Sequence, residues 1–515
     1  MAGVTAISSD SHIMLGVRIR HTRPLIGLAA RMVKLRPVDV AFVTTNAFYD
    51  RVKIELACHF EAGEEEYSLH VRVVSIGDVG FLTVGDGDEA FKKLWKALIS
   101  EEEVVCPSSG THLAPLTKPQ AVILDFFAID PFNYIRELCG NTVKVYAWES
   151  GMAAAMFYMF GPESVGGRGN FRVKAEEEAK RSGRPYKEVA LEIAFQPKGE
   201  VVRVPSMPPM YDYEYHPQDF PFPEDFGTTV FPRVHETVQA MDGMLLVTPE
   251  CYEPTAVAAT RTWFGETGRQ VHVCGPLLPA SSKETAKTHE RKHVAQSGAI
   301  DEFLDAMLKD SGPRSLLYIS LGTVFWPVTK PQNLWAVLDV VMELNIPFIL
   351  SHASPFAAIP DDVKEKVKAY GKCLLAPWTP QQLILDHHAM GWFLTHGGHN
   401  SVIEAISAGV PQIFWPYGGD QPLSAIHYAE HLQLGYELIE VRSGHGLKPI
   451  YRTGRTPLGT VDAIQAEIRD VLEKAFGEDG AKKREKLQVM SQAVNRQWED
   501  DGASRRGILA FLDSL

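Results

Sequence analysis

The stretch "FLTHGGHNSVIEAISAGVPQIFWPYGGDQ", Phe393 to Gln421, decides how the rest of the chain is read. It opens on the buried-type apolar run "GWFLTH", passes through Gly397 and Gly398, and continues as "NSVIEAISAG". In that second part Val402, Ile403 and Ile406 share a helical face, and Gly409 suits a C-terminal cap. The order predicts a strand turning into a helix, the place where α/β proteins hold anions.

Each polar residue around that turn matches one part of a nucleotide sugar. The glycines let backbone approach a ligand closely. The helix N-terminus offers unpaired N–H groups and a partial positive charge. His396, His399, Asn400 and Ser401 add donors beside Gly398, which makes a diphosphate cradle built without lysine or metal. Glu404, one turn on, is placed to accept from a pair of ribose hydroxyls. Upstream, "PWTPQQ" supplies an aromatic plane, Trp378, and an amide, Gln381, to stack on and pair with a base. Downstream, Asp420 and Gln421 are placed to hold sugar hydroxyls.

Working outward, strand-like runs alternate with helix-like ones. "DVAFVTT", "AVILDFF", "KVYAW" and "GMLLVTP" precede the region, and "SLLYISLGT", "NLWAVLDVVMEL" and "IPFIL" lead into it. The alternation predicts parallel sheets covered by helices, an α/β fold. The run "KAEEEAKRSGR" reads as a solvated helix or loop, and "ASSKETAKTHERKHVAQSGA" as an interdomain linker.

The totals narrow the function classes. The 515 residues call for two domains. The formal net charge is −13 with no clustered Lys/Arg block, which argues against nucleic acid as a partner. The six cysteines lack C-x-x-C spacing and read as reduced thiols of a cytoplasmic protein. No signal-peptide core and no run of 18 apolar residues is found, so no membrane span is expected. No G-x-G-x-x-G follows a strand, which speaks against nicotinamide binding. The histidines around residue 390 match no common zinc spacing, and "GDGDEAF", with Asp86 and Asp88, reads as a turn.

The segment Trp378 to Gln421 resembles the donor-binding signature of the UDP-glycosyltransferases, glycosyltransferase family 1. The pattern W-x-P-Q, H-x-G-x-N-S-x-x-E, G-V-P, W-P and [DE]-Q falls on Trp378, Pro380, Gln381, His396, Gly398, Asn400, Ser401, Glu404, Gly409, Val410, Pro411, Trp415, Pro416, Asp420 and Gln421. The likeness covers nearly the whole chain. It implies a GT-B fold, two doubly wound domains facing across a cleft. Residues 1–278 would bind the acceptor, 279–300 would link, and 301–484 would bind the UDP-sugar. The C-terminal helix 485–515 would pack back onto the first domain. The resemblance puts Thr323 near the donor. It also makes His21 in "RHTRPLIGLAARM" the general base and Asp125 its support, with Arg20 where the family usually has Gly. Imidazole titrates near neutrality and suits that task, and a carboxylate behind it stabilises the imidazolium.

The expectation is an inverting, metal-independent transferase moving a hexose, glucose, from UDP-glucose to a hydroxyl of a small hydrophobic acceptor. It needs no cofactor beyond the donor and acts as a monomer. The apolar content of "GMAAAMFYMFG" and "PSMPPMYDYEYHPQDFPFP" motivates the acceptor class. Two rivals stand beside this reading: a nucleotide-sugar epimerase or phosphorylase on the same fold, and a non-catalytic UDP-sugar-binding subunit.

Overall fold

A computed structural model of the chain describes residues 11–16, 22–78, 88–219, 226–279 and 297–515. Seven parallel strands form a first sheet: β1 (Ser11–Gly16), β2 (Val38–Thr44), β3 (Val71–Ser75), β4 (Ala121–Asp125), β5 (Lys144–Glu149), β6 (Gly243–Leu246) and β7 (Gln270–Val273). Their spatial order is β7-β6-β5-β4-β1-β2-β3. Both faces are covered, as an all-parallel sheet requires. On β4, Val122 and Leu124 enter one apolar cluster while Ala121 and Ile123 enter the other. The alternation follows from the two-residue period of a strand.

The second sheet has six parallel strands: β8 (Leu316–Ser320), β9 (Phe348–Ser351), β10 (Cys373–Ala376), β11 (Met390–Thr395), β12 (Gln412–Phe414) and β13 (Tyr436–Glu437). Their order is β10-β9-β8-β11-β12-β13. Helices Gln332–Glu343 and Val461–Ala475 bury Val337, Val341, Ile468 and Leu472 against one face. The stretch "KAEEEAKRSGR" falls mostly in helix Phe171–Ser182, with Phe171 and Ala175 as its buried residues.

Two expectations about the joints change. Helix Ser297–Ser311 begins inside the segment read as linker, because Ile300 and Leu304 pack with Leu316 and Tyr318 of β8. The C-terminal segment divides its allegiance. Helix Glu478–Asn495 stays on the second half, where Asn495 Oδ1 accepts from Ser407 Oγ at 2.5 Å. Past it the chain meets the first half, where Trp498 Nε1 donates to Pro276 O at 2.7 Å. Helix Ala503–Leu512 then buries Ile508 and Phe511 with Leu25 and Trp148.

The halves are joined by contacts far apart in sequence. His427 from the second half faces Ser206 O at 3.1 Å and Tyr252 O at 2.8 Å from the first. The apolar cluster on one face of the first sheet runs on without a break to Val402, Ile403 and Ile406. No helix among the described residues is long and apolar enough to cross a membrane.

Candidate functional site

The turn singled out in the sequence forms between β11 and helix His399–Ser407. Gly397 has φ +86°, and a Cβ there would stand 2.8 Å from the Phe414 ring, so glycine is required on both counts. Gly398 is the N-cap. The helix ends on Gly409 at φ +70°, where Gly409 N–H donates to Ile406 O and Val410 N–H to Ala405 O, a Schellman closure. Asn400 and Ser401 occupy the first turn, half-buried.

His396 lies just before that turn. Burial pushes its imidazole down to about 4, so the ring is neutral near pH 7. Gly322, at φ +81°, leaves room for it, since a Cβ there would stand 2.7 Å from His396 Nε2. Thr323, the next residue, is exposed in the loop after β8. His399 behaves differently from its neighbours. Its ring is 3% exposed and tilted against Tyr252 at 6.2 Å, with neither nitrogen partnered, while its backbone N–H donates to Asp420 Oδ2 at 3.3 Å. A carboxylate therefore sits at the positive end of this helix.

Glu404, one turn along, is 8% exposed and accepts from two directions. Gln381 Nε2 donates to its Oε2 at 2.7 Å and reaches Ser401 Oγ at 3.2 Å. Arg23 Nη1, from the first half, donates to its Oε1 at 3.1 Å. Arg23 Nε also donates to Glu55 Oε1 at 2.6 Å. Burial pushes the Glu55 carboxyl up, but Arg23, His59 and Arg51 together outweigh it and hold it below its ordinary value. Trp378 is 40% exposed, and the Arg51 guanidinium lies 4.4 Å over its ring centroid. Trp378 and Glu404 are thus both contacted by arginines of the first half.

Asp420 precedes helix Gln421–Ile426 without capping it through its side chain. Gln421 is buried, and its Oε1 accepts from the N–H groups of Tyr417 at 3.0 Å and Gly418 at 3.4 Å. The amide oxygen holds the loop.

At the carboxyl ends of β4 and β5 stand Asp125 and Glu149, both buried. Asp125 Oδ1 accepts from Phe127 N–H at 2.9 Å. Behind them Glu253 accepts from the N–H groups of Ala153 and Ala154 and from Thr248 Oγ1, anchoring helix Ala153–Phe160. His21 and Arg20 lie outside the described residues, as does Asp86; Asp88 opens helix Asp88–Ile99.

Of the residues singled out in the sequence, His396, Gly398, His399, Asn400, Ser401, Glu404, Gln381, Asp420 and Gln421 come together around one helix N-terminus, with Trp378 beside them. Asp125 lies at the facing sheet end. Sequence reasoning missed Arg23, Arg51 and Glu149. Arg23 was within reach, because it stands inside the motif that picked out His21. Arg51 and Glu149 carry no local signal.

Residues 231–437 match the family model described as UDP-glucoronosyl and UDP-glucosyl transferase. The chain is 32% identical over 519 residues to a UDP-glycosyltransferase of Hericium erinaceus, covering 96% of each. Among solved structures, a Medicago truncatula glycosyltransferase complexed with UDP-glucose superposes with a TM-score of 0.66 at 15% identity, covering 99% of each chain. A transferase from Siraitia grosvenorii in complex with UDP gives 0.65 at 16%, covering 98% of this chain and 99% of that one. A relative of that identity along nearly the whole length carries the assignment: the chain belongs to the UDP-glycosyltransferases of family 1, and its two parallel sheets are those of the GT-B fold.

Proposed function

We propose that this glycosyltransferase is inverting and metal-independent, and that it moves glucose from UDP-glucose to a hydroxyl of a small apolar acceptor. The observation that carries the reading is the helix N-terminus at Gly398, ringed by His396, Asn400 and Ser401 and opposite Asp125. In this reading the half built on the second sheet holds the donor and the half built on the first holds the acceptor. Uracil stacks on Trp378 beside Gln381, ribose binds Glu404, and the hexose meets Asp420 and Gln421. The relatives support the choice of sugar: the Medicago structure contains UDP-glucose, and a Vitis vinifera protein matched over 40% of this chain is an anthocyanidin 3-O-glucosyltransferase.

His21 is assigned the base on its motif, and Asp125 its support. As the acceptor oxygen attacks the anomeric carbon from the face opposite UDP, His21 takes its proton and Asp125 stabilises the imidazolium. Negative charge growing on the UDP oxygens is met by the helix N–H groups, the neutral His396 imidazole and the Ser401 hydroxyl. These donors can carry that charge without a cation. One displacement inverts the anomeric configuration.

The acceptor class is supported by an aromatic cluster directly after Asp125. Phe126 and Phe127 have ring centroids 4.4 Å apart, and Phe127 lies 6.2 Å from Phe160 and 6.4 Å from Phe231. Aromatic walls favour a flat apolar acceptor. The test is incubation with UDP-glucose and a panel of phenols, sterols and fatty alcohols, with and without EDTA, and product identification by mass and by anomeric coupling. β-Glucosides formed equally in both arms are the expected result. Retained configuration, or activity lost to EDTA and restored by Mn²⁺, refutes the mechanism.

A further inference from the structure

Glu214 belongs by sequence to the first half, in the short helix Asp212–Tyr215, and is 0% exposed. Its carboxylate is held by the second half. Tyr451 N–H donates to its Oε1 at 3.1 Å and Arg452 Nη1 to its Oε2 at 2.9 Å, while Tyr211 N–H donates to Oε1 at 2.9 Å within the same turn. Asp212, two residues earlier, is held by the first half: its carboxylate accepts from the N–H groups of Lys198 at 2.6 Å and Gly199 at 2.8 Å. Two carboxylates thus tie one turn of chain to both halves. Further bonds extend the attachment to the second half. Tyr213 Oη donates to Pro449 O at 2.5 Å, Gln218 Nε2 to Val441 O at 3.0 Å, and Ser443 N–H to Pro217 O at 3.0 Å.

Stability alone does not account for the buried pair of Glu214 and Arg452, because desolvating two charges costs about as much as their attraction returns. Removing one partner leaves an uncompensated charge, so the pair holds one geometry. The residue next to Glu214 shows what that geometry places. Tyr215 packs edge-on to Tyr158 of helix Ala153–Phe160, centroids 5.1 Å apart, and the same helix carries Phe160 of the aromatic cluster around Phe127. Burial pushes the Tyr215 phenol up; Asp420, Tyr158 and Glu149 add to this and Arg168 opposes it. Glu149 and Asp420 face each other beside Gly151, where a Cβ would stand 2.9 Å from Glu149 Oε1 and 3.3 Å from Asp420 Oδ2. Tyr215 therefore stands near the place where acids of the two halves meet, and it keeps 6% of its surface exposed.

We propose that Glu214 is a positioning residue for the acceptor: bonded to Arg452, it holds Tyr215 as a wall of the acceptor pocket in a place set by the second half. The half that binds the donor then completes the pocket of the half that binds the acceptor. A large apolar acceptor buries more of its surface on that wall than a small one, so it depends more on the wall being in place. The inference rests on the reading of the aromatic cluster after Asp125 as the acceptor site.

The test measures KM and kcat for the smallest and the largest acceptors that the wild type uses from the panel of phenols, sterols and fatty alcohols. UDP is titrated calorimetrically into each variant. In Glu214→Ala the KM of the largest acceptor should rise about 2- to 30-fold, the scale of coupling through a packed network, and that of the smallest should move by less than about twofold. UDP affinity, kcat and the KM of UDP-glucose should also stay within about twofold of wild type. Tyr215→Ala should give the same shift, and the double variant should be no worse than either alone, because both remove one wall. Tyr213→Phe deletes only the bond to Pro449 O; it should raise the KM of the largest acceptor by a smaller factor, and it replaces Glu214→Ala should that variant not fold. Equal rises for small and large acceptors, matching rises for acceptor and UDP-glucose, or an additive double variant overturn the proposal. A wild type that glucosylates no acceptor of the panel sinks the acceptor reading and this inference with it. Glucosylation by the wild type with unchanged KM values in the variants sinks the inference alone.

Discussion

Arg23 and Glu404, 381 positions apart in sequence, are joined across the cleft by a 3.1 Å hydrogen bond from Nη1 to Oε1. Arg23 follows the proposed base, His21, by two residues and stands inside its motif, and Glu404 is the proposed ribose acceptor. With Arg51 over Trp378, a nucleoside bound as proposed would have to displace two arginines.

Arg23→Ala should therefore tighten UDP binding. The pair is part-exposed on the arginine side, at 38%, so the competing interaction is worth only about 0.2–1 kcal/mol, a gain of about 1.5- to 5-fold. The gain should shrink as salt is raised. Titration with UDP at two ionic strengths measures it. Weaker binding in the variant would mean that Arg23 contacts the donor.

His21→Ala should lower kcat on the order of 10²–10⁴-fold while leaving UDP affinity intact, because base and donor site belong to different halves. Asp125→Asn should lower kcat as well, and the double variant should be little worse than His21→Ala alone. Additive losses in steady-state kinetics would contradict a shared role.

Glu404→Ala removes the acceptor used by both Gln381 and Arg23. UDP affinity should fall roughly 5- to 150-fold, while 2′-deoxy-UDP should lose less, having given up one of the two hydroxyls already. Identical losses for the two nucleotides would place the ribose elsewhere.

Gln421→Ala should reduce kcat/KM for UDP-glucose roughly 5- to 150-fold and leave UDP affinity nearly unchanged, because the amide is assigned to the sugar. Competition among UDP-glucose, UDP-galactose, UDP-N-acetylglucosamine and UDP-glucuronate gives the donor preference. A wild type preferring any of the last three, or a variant as active as wild type, removes Gln421 from sugar recognition.

Gly397→Ala probes the turn as structure. A residue with a Cβ at φ +86° costs about 1–2 kcal/mol, and contact with the Phe414 ring adds to that. Thermal denaturation should show a lowered Tm even without ligand. An unchanged Tm with lost activity would assign the glycine to ligand approach alone.

The sequence by itself determined the parallel α/β architecture, the family likeness and the glycine turn between a strand and a helix N-terminus. All of these rest on local order. A buried strand, two glycines and an amphipathic helix follow one another within Phe393–Gly409, and backbone sterics and hydrogen bonding leave such a run few conformations. Trp378, Gln381, Asp420 and Gln421 were legible for the same reason, being near in sequence to the turn they surround. Only the tertiary structure decided what meets across the cleft. The Arg23–Glu404 and Arg51–Trp378 contacts, the facing of Glu149 and Asp420 beside Gly151, and the contact of Trp498 with Pro276 all depend on how the two sheets dock. Residues brought together by docking leave no period or spacing in the chain, because their proximity comes from burying apolar surface between elements hundreds of residues apart.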